Sequence, residues 1–412
     1  MRVLYLPAYF TPETAASTYL NENRNQAFAD AEIETLLYVP MPCRGISEDV
    51  RNDYRKKERR KEILYNGKMT VHRFSMYAEG KNPILRALRY VLCWCAQFWK
   101  GLWAKDIGLI YLASTPPIQG VLGGLLKRIK KVPFVYNLQD IFPDSLVGTG
   151  LAKKGGLLWK IGRVIENFTY RNADKIIVIS EDFKRNIMAK GVPEEKIVVV
   201  YNWVDEEAVR YIDREENKLF DKYGLDRNKF YITYCGNIGL TQNMDMLLEV
   251  AKELETDPDI QFVLIGEGAY KEKVAGTINE KQIKNVTLVP FQPYEDISHV
   301  FSLGDVGLVI SKPGVGENSV PSKTWSILSA SRAVLANFDE NELKSIIDKY
   351  QCGVFTKAGD KAAFKQAILD LYHDKERCEQ YGCNGREFIL QNLTRAVGTQ
   401  KYVDVIKGYM KD

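Results

Sequence analysis

The chain predicts an α/β protein of two doubly wound, parallel-sheet (Rossmann-like) domains facing across a cleft. Three observations predict it. Short apolar runs rich in β-branched residues alternate with helical stretches, and the alternation occurs twice. At 412 residues the chain is too long for one core, and two domains of about 200 residues are the expected division. The middle segment, residues 172–205, reads as strand, helix, strand and polar exit, where one domain hands over to the next.

In the first half, Arg2–Leu6 is a strand, followed by a polar loop and a helix from Ser17 to Ala29. Glu34–Val39 is a strand, and Met69–Phe74 is another after a basic loop. Residues 83–104 are helical, Leu109–Leu112 a strand, Gln119–Lys130 a helix and Phe134–Leu138 a strand. Lys175–Ile179 is a strand and Ser180 the N-cap of a helix whose first turn carries Glu181 and Asp182, where acids favour the dipole. Gly191 stops that helix, and Lys196–Tyr201 is a buried-type strand. In the second half the strands are Tyr231–Cys235, Gln261–Ile265, Val286–Val289, Val306–Ile310 and Ala333–Ala336. Helices fall at Met244–Leu254, near Lys271–Ile278, near Tyr294–Ser302 and at Lys323–Ser331, with a last helix at Thr394–Lys411. In open α/β sheets ligands bind beyond the carboxyl ends of the strands, so chemistry is expected in the loops after strands.

Composition narrows the class. Seven scattered cysteines without CxxC spacing suggest reduced thiols in the cytoplasm, and three histidines make a histidine-built metal site improbable. The opening MRVLYLPAYF reads as a strand with no signal-peptide layout. Residues 1–200 carry 31 basic and 20 acidic side chains (+11), whereas residues 201–412 carry 26 and 33 (−7). The basic clusters Arg51 to Lys61 and Lys127 to Lys131 each read as a solvated face. The asymmetry of the whole half instead points to an anionic membrane surface, and not to nucleic acid. Residues 83–105 hold Trp94, Trp99 and Trp103 beside Arg86, Arg89 and Lys100, with ten uncharged residues between Arg89 and Lys100. That is too short to span a bilayer. The segment reads first as a buried helix, and second as a peripheral membrane contact.

Four loops carry candidate chemistry. After strand 231–235 comes Gly236-Asn237-Ile238-Gly239, whose glycines let backbone N–H groups approach an anion. After strand 306–310 comes a loop running through Gly314, Gly316 and Glu317 to Pro321-Ser322-Lys323. Pro321 suits a helix start and Ser322 an early cap. Lys323 then sits where its charge opposes the helix dipole, which makes sense if an anion shares the site. After strand 134–138 comes Gln139-Asp140, placed either to orient a ligand or stabilise developing positive charge, or to cap the turn that follows. After the first strand, Glu13 can face a ligand, and small Ala15, Ala16 and Ser17 permit its close approach.

The segment Asn172–Asp205 closely resembles the one that ends the N-terminal domain of retaining, GT-B-fold glycosyltransferases of family 4, which usually reads aDkiiavS…Gv…kivvipNgvD. The resemblance extends over nearly the whole chain. It implies an acceptor-binding domain at 1–205, a nucleotide-sugar-binding domain at 206–393, and a C-terminal helix at 394–412 crossing back to the first domain. It also implies that Gly236, Asn237 and Gln242 line the diphosphate, with Asn237 and Gln242 standing where the family usually has Arg and Lys. Gly266-Glu267-Gly268 matches the turn lining the donor cleft, and Val289-Pro290-Phe291 the segment that reads the base. Of the family's E-x7-E pair, the second glutamate falls at Ser326, a weaker ribose partner, and the first at Asn318, so Glu317 is the choice for donor-sugar hydroxyls. Pro321-Ser322-Lys323 resembles a subgroup that assembles bacterial surface polysaccharides, and Gln139-Asp140 replaces a common His-Asp.

The resemblance thus implies a retaining, metal-independent transferase without a cofactor, in which the leaving diphosphate deprotonates the acceptor hydroxyl. The residues expected to carry it are Asp140, Glu317 and Lys323, with Ser322 beside the donor and Gln139 beside the acceptor. The implied donor is a UDP-sugar, such as an N-acetyl or deoxy hexosamine. The implied acceptor is a lipid-linked saccharide at the cytoplasmic face of the membrane, in capsule or O-antigen synthesis. Two other readings share the fold: a sugar-nucleotide 2-epimerase and a non-catalytic scaffold.

Overall fold

The computed structural model describes residues 1–13, 18–79, 82–148, 152–316 and 320–410. The chain divides into two compact units, Met1–Tyr201 with Gly398–Asp412, and Asn202–Val397.

The first unit is built on eight strands: β1 Arg2–Tyr5, β2 Thr35–Pro40, β3 Lys61–Leu64, β4 Met69–Phe74, β5 Ile107–Ala113, β6 Phe134–Leu138, β7 Lys175–Val178 and β8 Ile197–Val199. Their order is β3-β4-β2-β1-β5-β6-β7-β8. All pairings are parallel except β3 with β4, where Lys61 opposes His72 and Leu64 opposes Met69. Parallel strands covered on both faces must be apolar throughout, which is why β5 and β6 are near-continuous hydrophobic runs buried along their length. The basic stretch 51–61, expected as loop, is instead the end of a helix (Glu48–Tyr54), a 3-10 turn (Lys57–Arg60) and the start of β3. Strand β3 gives no hydrophobic signal because it is a charged edge with one face open to water.

Ser180 caps the helix Glu181–Ala189 by accepting from the Phe183 N–H at 3.1 Å. The final helix, Arg395–Lys407, is fastened to the first unit beyond residue 397. There the Tyr402 hydroxyl donates to Asn137 Oδ1 at 3.1 Å, and Asn137 Nδ2 donates to the Tyr111 hydroxyl at 2.9 Å.

The second unit holds β9 Phe230–Cys235, β10 Ile260–Ile265, β11 Val286–Val289, β12 Val306–Ile310, β13 Ala333–Phe338 and β14 Gly353–Lys357, in the order β11-β10-β9-β12-β13-β14, all parallel. Its core gathers Phe230, Ile232, Tyr234, Leu247, Leu308 and Phe364. Strand β14 and the helices Glu342–Tyr350, Lys361–His373 and Lys375–Asn392 extend the unit beyond the elements expected. In both sheets the strand order reverses beside the first strand of the unit, between β1 and β5 and between β9 and β12. These are the switch points where loops splay apart and leave a crevice.

Helix Gln119–Lys130 sits tightly on its sheet: a Cβ at Gly123 would lie 2.3 Å from the Phe134 ring. Alanine is the better helix former by about 1 kcal/mol. Gly123→Ala is nevertheless expected to cost about 1–3 kcal/mol through overpacking, read as a lower urea midpoint at unchanged slope.

Candidate active site

The second unit's switch point is lined by the loops after β9, β10 and β12. The first two are pressed together. The Gly236 N–H donates to Ile265 O at 2.9 Å, and the Ile238 N–H to Glu267 O at 2.8 Å. The Tyr270 N–H returns to Ile238 O at 2.9 Å. A Cβ at Gly266 would lie 1.9 Å from Gly236 O, and one at Gly268 2.3 Å from Ile238 O, and both glycines have positive φ. The glycines therefore serve the close packing of two backbones. Val289 is buried and its carbonyl accepts from the Gly266 N–H at 3.1 Å. Phe291 is 71% exposed, so it is not a packed core aromatic.

Two of the expected donor contacts have other tasks. Gln242 turns inward, and its Oε1 accepts from the Gly239 N–H at 3.0 Å while its Nε2 donates to Thr241 Oγ1 at 2.9 Å. The Glu267 carboxylate pairs with Lys271 at 2.6 Å, one turn on, and that hydrogen bond holds it below the usual range. Asn237 is exposed, and its carbonyl accepts from the Tyr234 hydroxyl at 2.6 Å.

Lys323 is the group these loops surround. It opens the helix Lys323–Ser329. Its Nζ lies 3.9 Å from the centre of the Tyr234 ring and 3.4 Å from where a Gly236 Cβ would stand. A cation over an aromatic face is attracted by the ring quadrupole. No ion pair joins it to a described carboxylate. Loss of hydration pulls its pKa down to about 8, partly offset by the nearby Cys235 thiol, which burial pushes up to about 12. The expected Ser322 cap is corrected: Ser322 has helical backbone angles and makes no side-chain cap bond, and in the first turn Pro321 O accepts from the Thr324 N–H and Ser322 O from the Trp325 N–H. Ser326 lies half-buried one turn further on.

The loop after β12 is anchored by Asp339, whose two carboxylate oxygens accept from the Gly314 N–H (2.9 Å) and the Gly316 N–H (2.7 Å). Glu317 lies outside the described residues, as do Ala16 and Ser17. Lys312, to which the sequence reading gave no role, sits directly after β12. Its N–H donates to Thr241 O at 2.8 Å and its ammonium lies 5.6 Å from the Tyr270 ring centre. A lysine at a strand's carboxyl end beside a switch point is the signal that could have singled it out.

In the first unit, Ser114 Oγ accepts from the N–H groups of Gln139 (3.0 Å) and Asp140 (3.3 Å), fixing the loop after β6. Asp140 is exposed at the rim. Partial desolvation raises its carboxyl above the ordinary range, against hydrogen bonds from Ser145 and the Ile141 N–H. Those two bonds are the turn-capping contacts. Gln139 points back into the unit, donating to Asn137 Oδ1 at 2.9 Å and towards the Tyr402 hydroxyl at 3.4 Å. Glu13 has a structural task that its sequence position did not show. It is 6% exposed, and it accepts from the backbone N–H groups of Phe10, Cys43 and Arg44 at 3.1, 2.9 and 3.0 Å.

Two doubly wound sheets in one chain, each with its loops gathered at a strand-order reversal, define an α/β protein of GT-B architecture. Residues 27–203 match the family "Glycosyl transferase 4-like domain" and residues 215–388 match "Glycosyl transferases group 1". With each half matched in this way, the chain is a GT-B glycosyltransferase. It is similar to "Putative colanic acid biosynthesis glycosyl transferase WcaI" of Escherichia coli K12, 28% identical over 294 residues, covering 69% of this chain and 70% of that one. It is also similar to "Probable glycosyltransferase WbjE" of Pseudomonas aeruginosa, 25% identical over 75% of this chain and 76% of that one. The fold matches Alr3699/HepE of Anabaena, solved in complex with UDP, with a TM-score of 0.72 at 16% identity over 99% of this chain and 100% of that one.

Two substitutions separate site from scaffold. Glu13→Ala leaves three backbone amides without their acceptor and is expected to cost about 2–4 kcal/mol in urea unfolding. Lys323→Met removes a poorly hydrated charge and is expected to stabilise the protein by about 1–3 kcal/mol at neutral pH. The wild-type lysine holds its proton more weakly folded than unfolded. Its destabilisation is therefore full below pH 8 and fades as pH rises from about 8 towards 10.5. The gap in melting temperature between variant and wild type should narrow over that window.

Proposed function

We propose that the protein is a retaining, metal-independent glycosyltransferase that moves a sugar from a nucleotide-sugar, a UDP-sugar such as an N-acetyl or deoxy hexosamine, to a lipid-linked saccharide. Its setting is bacterial surface-polysaccharide assembly, such as capsule or O-antigen, on the cytoplasmic side of the membrane. The observation that carries the reading is Lys323: a poorly hydrated ammonium at the second unit's switch point, without a described counter-ion. An anionic diphosphate supplies the missing charge. The name of the Escherichia coli relative, a putative colanic acid biosynthesis glycosyl transferase, supports a biosynthetic role of this kind, and the UDP held by Alr3699/HepE supports a uridine donor.

In this reading the glycine loops let the donor approach backbone, with Asn237 and Gln242 beside the diphosphate. Phe291 and the Val289 backbone face the base, Ser326 the ribose, and Glu317 the sugar hydroxyls. Lys312 adds a second cation from the neighbouring strand end. The bond from the sugar's anomeric carbon to the diphosphate oxygen breaks as Lys323 stabilises the leaving charge. The acceptor oxygen bonds to the same face of that carbon, and its proton passes to the departing diphosphate oxygen. Asp140 supports the developing positive charge on the sugar ring. The protein contributes orientation and electrostatics, not a covalent nucleophile.

The test is a panel of nucleotide-sugars offered with a lipid-linked acceptor. UDP release that needs the acceptor, and yields a glycosylated lipid with the donor's anomeric configuration, is the expected result. Lys323→Met is expected to weaken UDP binding by about tenfold or more in calorimetry, the loss of one charge-assisted contact of about 1.5–3 kcal/mol. An epimerised sugar or no nucleotide binding at all would contradict the reading.

A further inference from the structure

Two helices of the first unit carry an exposed apolar stripe in addition to the side they turn to the core. Helix Pro83–Trp103 turns Arg89, Cys93, Gln97 and Gly101 inward, one residue per turn. Gln97 is fully buried, donating to Pro7 O at 2.7 Å and Tyr38 O at 3.0 Å and accepting from Gln119 at 2.8 Å. The opposite stripe, Leu85, Leu88, Leu92, Cys95, Trp99 and Trp103, advances three or four residues at a time and is exposed throughout. Trp103 is 76% exposed. The segment expected as a buried helix thus turns one side to the core, where Trp94, Phe98 and Leu102 pack beside Gln97, and leaves a second apolar stripe outside.

Helix Leu157–Asn172 repeats the arrangement. It buries Gly162, Glu166, Thr169, Tyr170 and Asn172 and exposes Leu157, Leu158, Ile161 and Val164. Glu166 is held inside by ion pairs with Arg163 and with Lys190, the latter at 2.8 Å. Helix Gln119–Lys130 packs between the two and adds exposed Ile129. A soluble helix ordinarily faces its apolar stripe to the core. A contiguous apolar face of this kind marks a surface to be covered.

Charge says by what. The only acidic side chain on these three helices is the buried Glu166. Exposed Arg128, Lys131, Lys153, Lys154 and Lys160 stand on these helices or at their ends, and Arg86, also exposed, pairs with Glu79 at 2.8 Å. Apolar residues flanked by cations suit the boundary between acyl chains and anionic headgroups. The topology gives the direction. Helix Pro83–Trp103 follows β4 and leads to β5, and Leu157–Asn172 leads into β7, all parallel strands. Both helices therefore begin at the carboxyl edge of the sheet, where the loops after β1, β5 and β6 gather.

We propose that this three-helix face docks on an anionic bilayer and sets the carboxyl edge of the first unit's sheet beside the headgroups. It rests on the proposed function only in that a lipid-borne acceptor would then enter from that edge.

The test is co-sedimentation of the full chain with phosphatidylcholine vesicles with and without phosphatidylglycerol, with UDP binding measured in parallel. Binding is expected to need the anionic lipid and to weaken with salt. Leu157→Glu with Ile161→Glu should lower the partition by about tenfold or more. Lys153→Glu with Lys154→Glu and Lys160→Glu, which leaves the packing untouched, should remove the preference for anionic lipid. Both variants should retain wild-type UDP affinity and melting temperature. The proposal is overturned if the wild type stays in solution, or if both variants sediment like wild type. It is also overturned if the apolar variant only converts a dimer to a monomer. UDP binding lost with vesicle binding intact would count against the proposed function alone.

Discussion

The ammonium of Lys323 over the Tyr234 ring is the interaction on which the donor side depends. The ring face attracts the cation, and among the described residues no carboxylate pairs with it. The helix behind it begins with its own positive end, and the glycine loops bring backbone, not carboxylate, to its side. The loops after β9 and β10 approach so closely that Gly266 and Gly268 have no room for a side chain. In the proposed function a bound anion would supply the counter-charge, and that binding energy would be available for stabilising a leaving group.

The first unit is specialised differently. Its buried polar network runs from Arg24 through Tyr111 and Asn137 to Tyr402, tying the ends of β5 and β6 to the last helix. Glu13 clamps the loop after β1 to the one after β2. These contacts make the carboxyl edge rigid. On one face of the same sheet, helices that pack Leu122, Leu126 and Tyr170 inward leave a second apolar stripe outside. That exposed stripe is the surface proposed above for docking on a bilayer.

Much of this architecture was legible in the sequence. Parallel strands buried on both faces must be apolar runs, so β1, β5, β6, β7 and β9 to β13 announce themselves. Strand β3 did not, because an exposed edge needs no hydrophobic period. The candidate site was legible only where charge conflicts with local structure: Lys323 at a helix start stood out, and the fold sets its ammonium over the Tyr234 ring. Gln242, Glu267 and Glu13 were read as ligand contacts by position, yet each side chain closes a hydrogen bond or ion pair within its own loops. Sequence spacing gives a residue's place but not its partner. The same limit hid the exposed apolar stripe of 83–103, since a helix with apolar residues on two sides does not say which side is turned inward.

The most direct measurement is the titration of Lys323 itself by NMR, on protein with isotope-labelled lysine side chains, with and without UDP. The account predicts a pKa near 8 in the free protein and a rise of at least about one unit when UDP binds, as the diphosphate supplies the missing counter-charge. An ordinary lysine titration in the free protein, or one that UDP leaves unmoved, would contradict it.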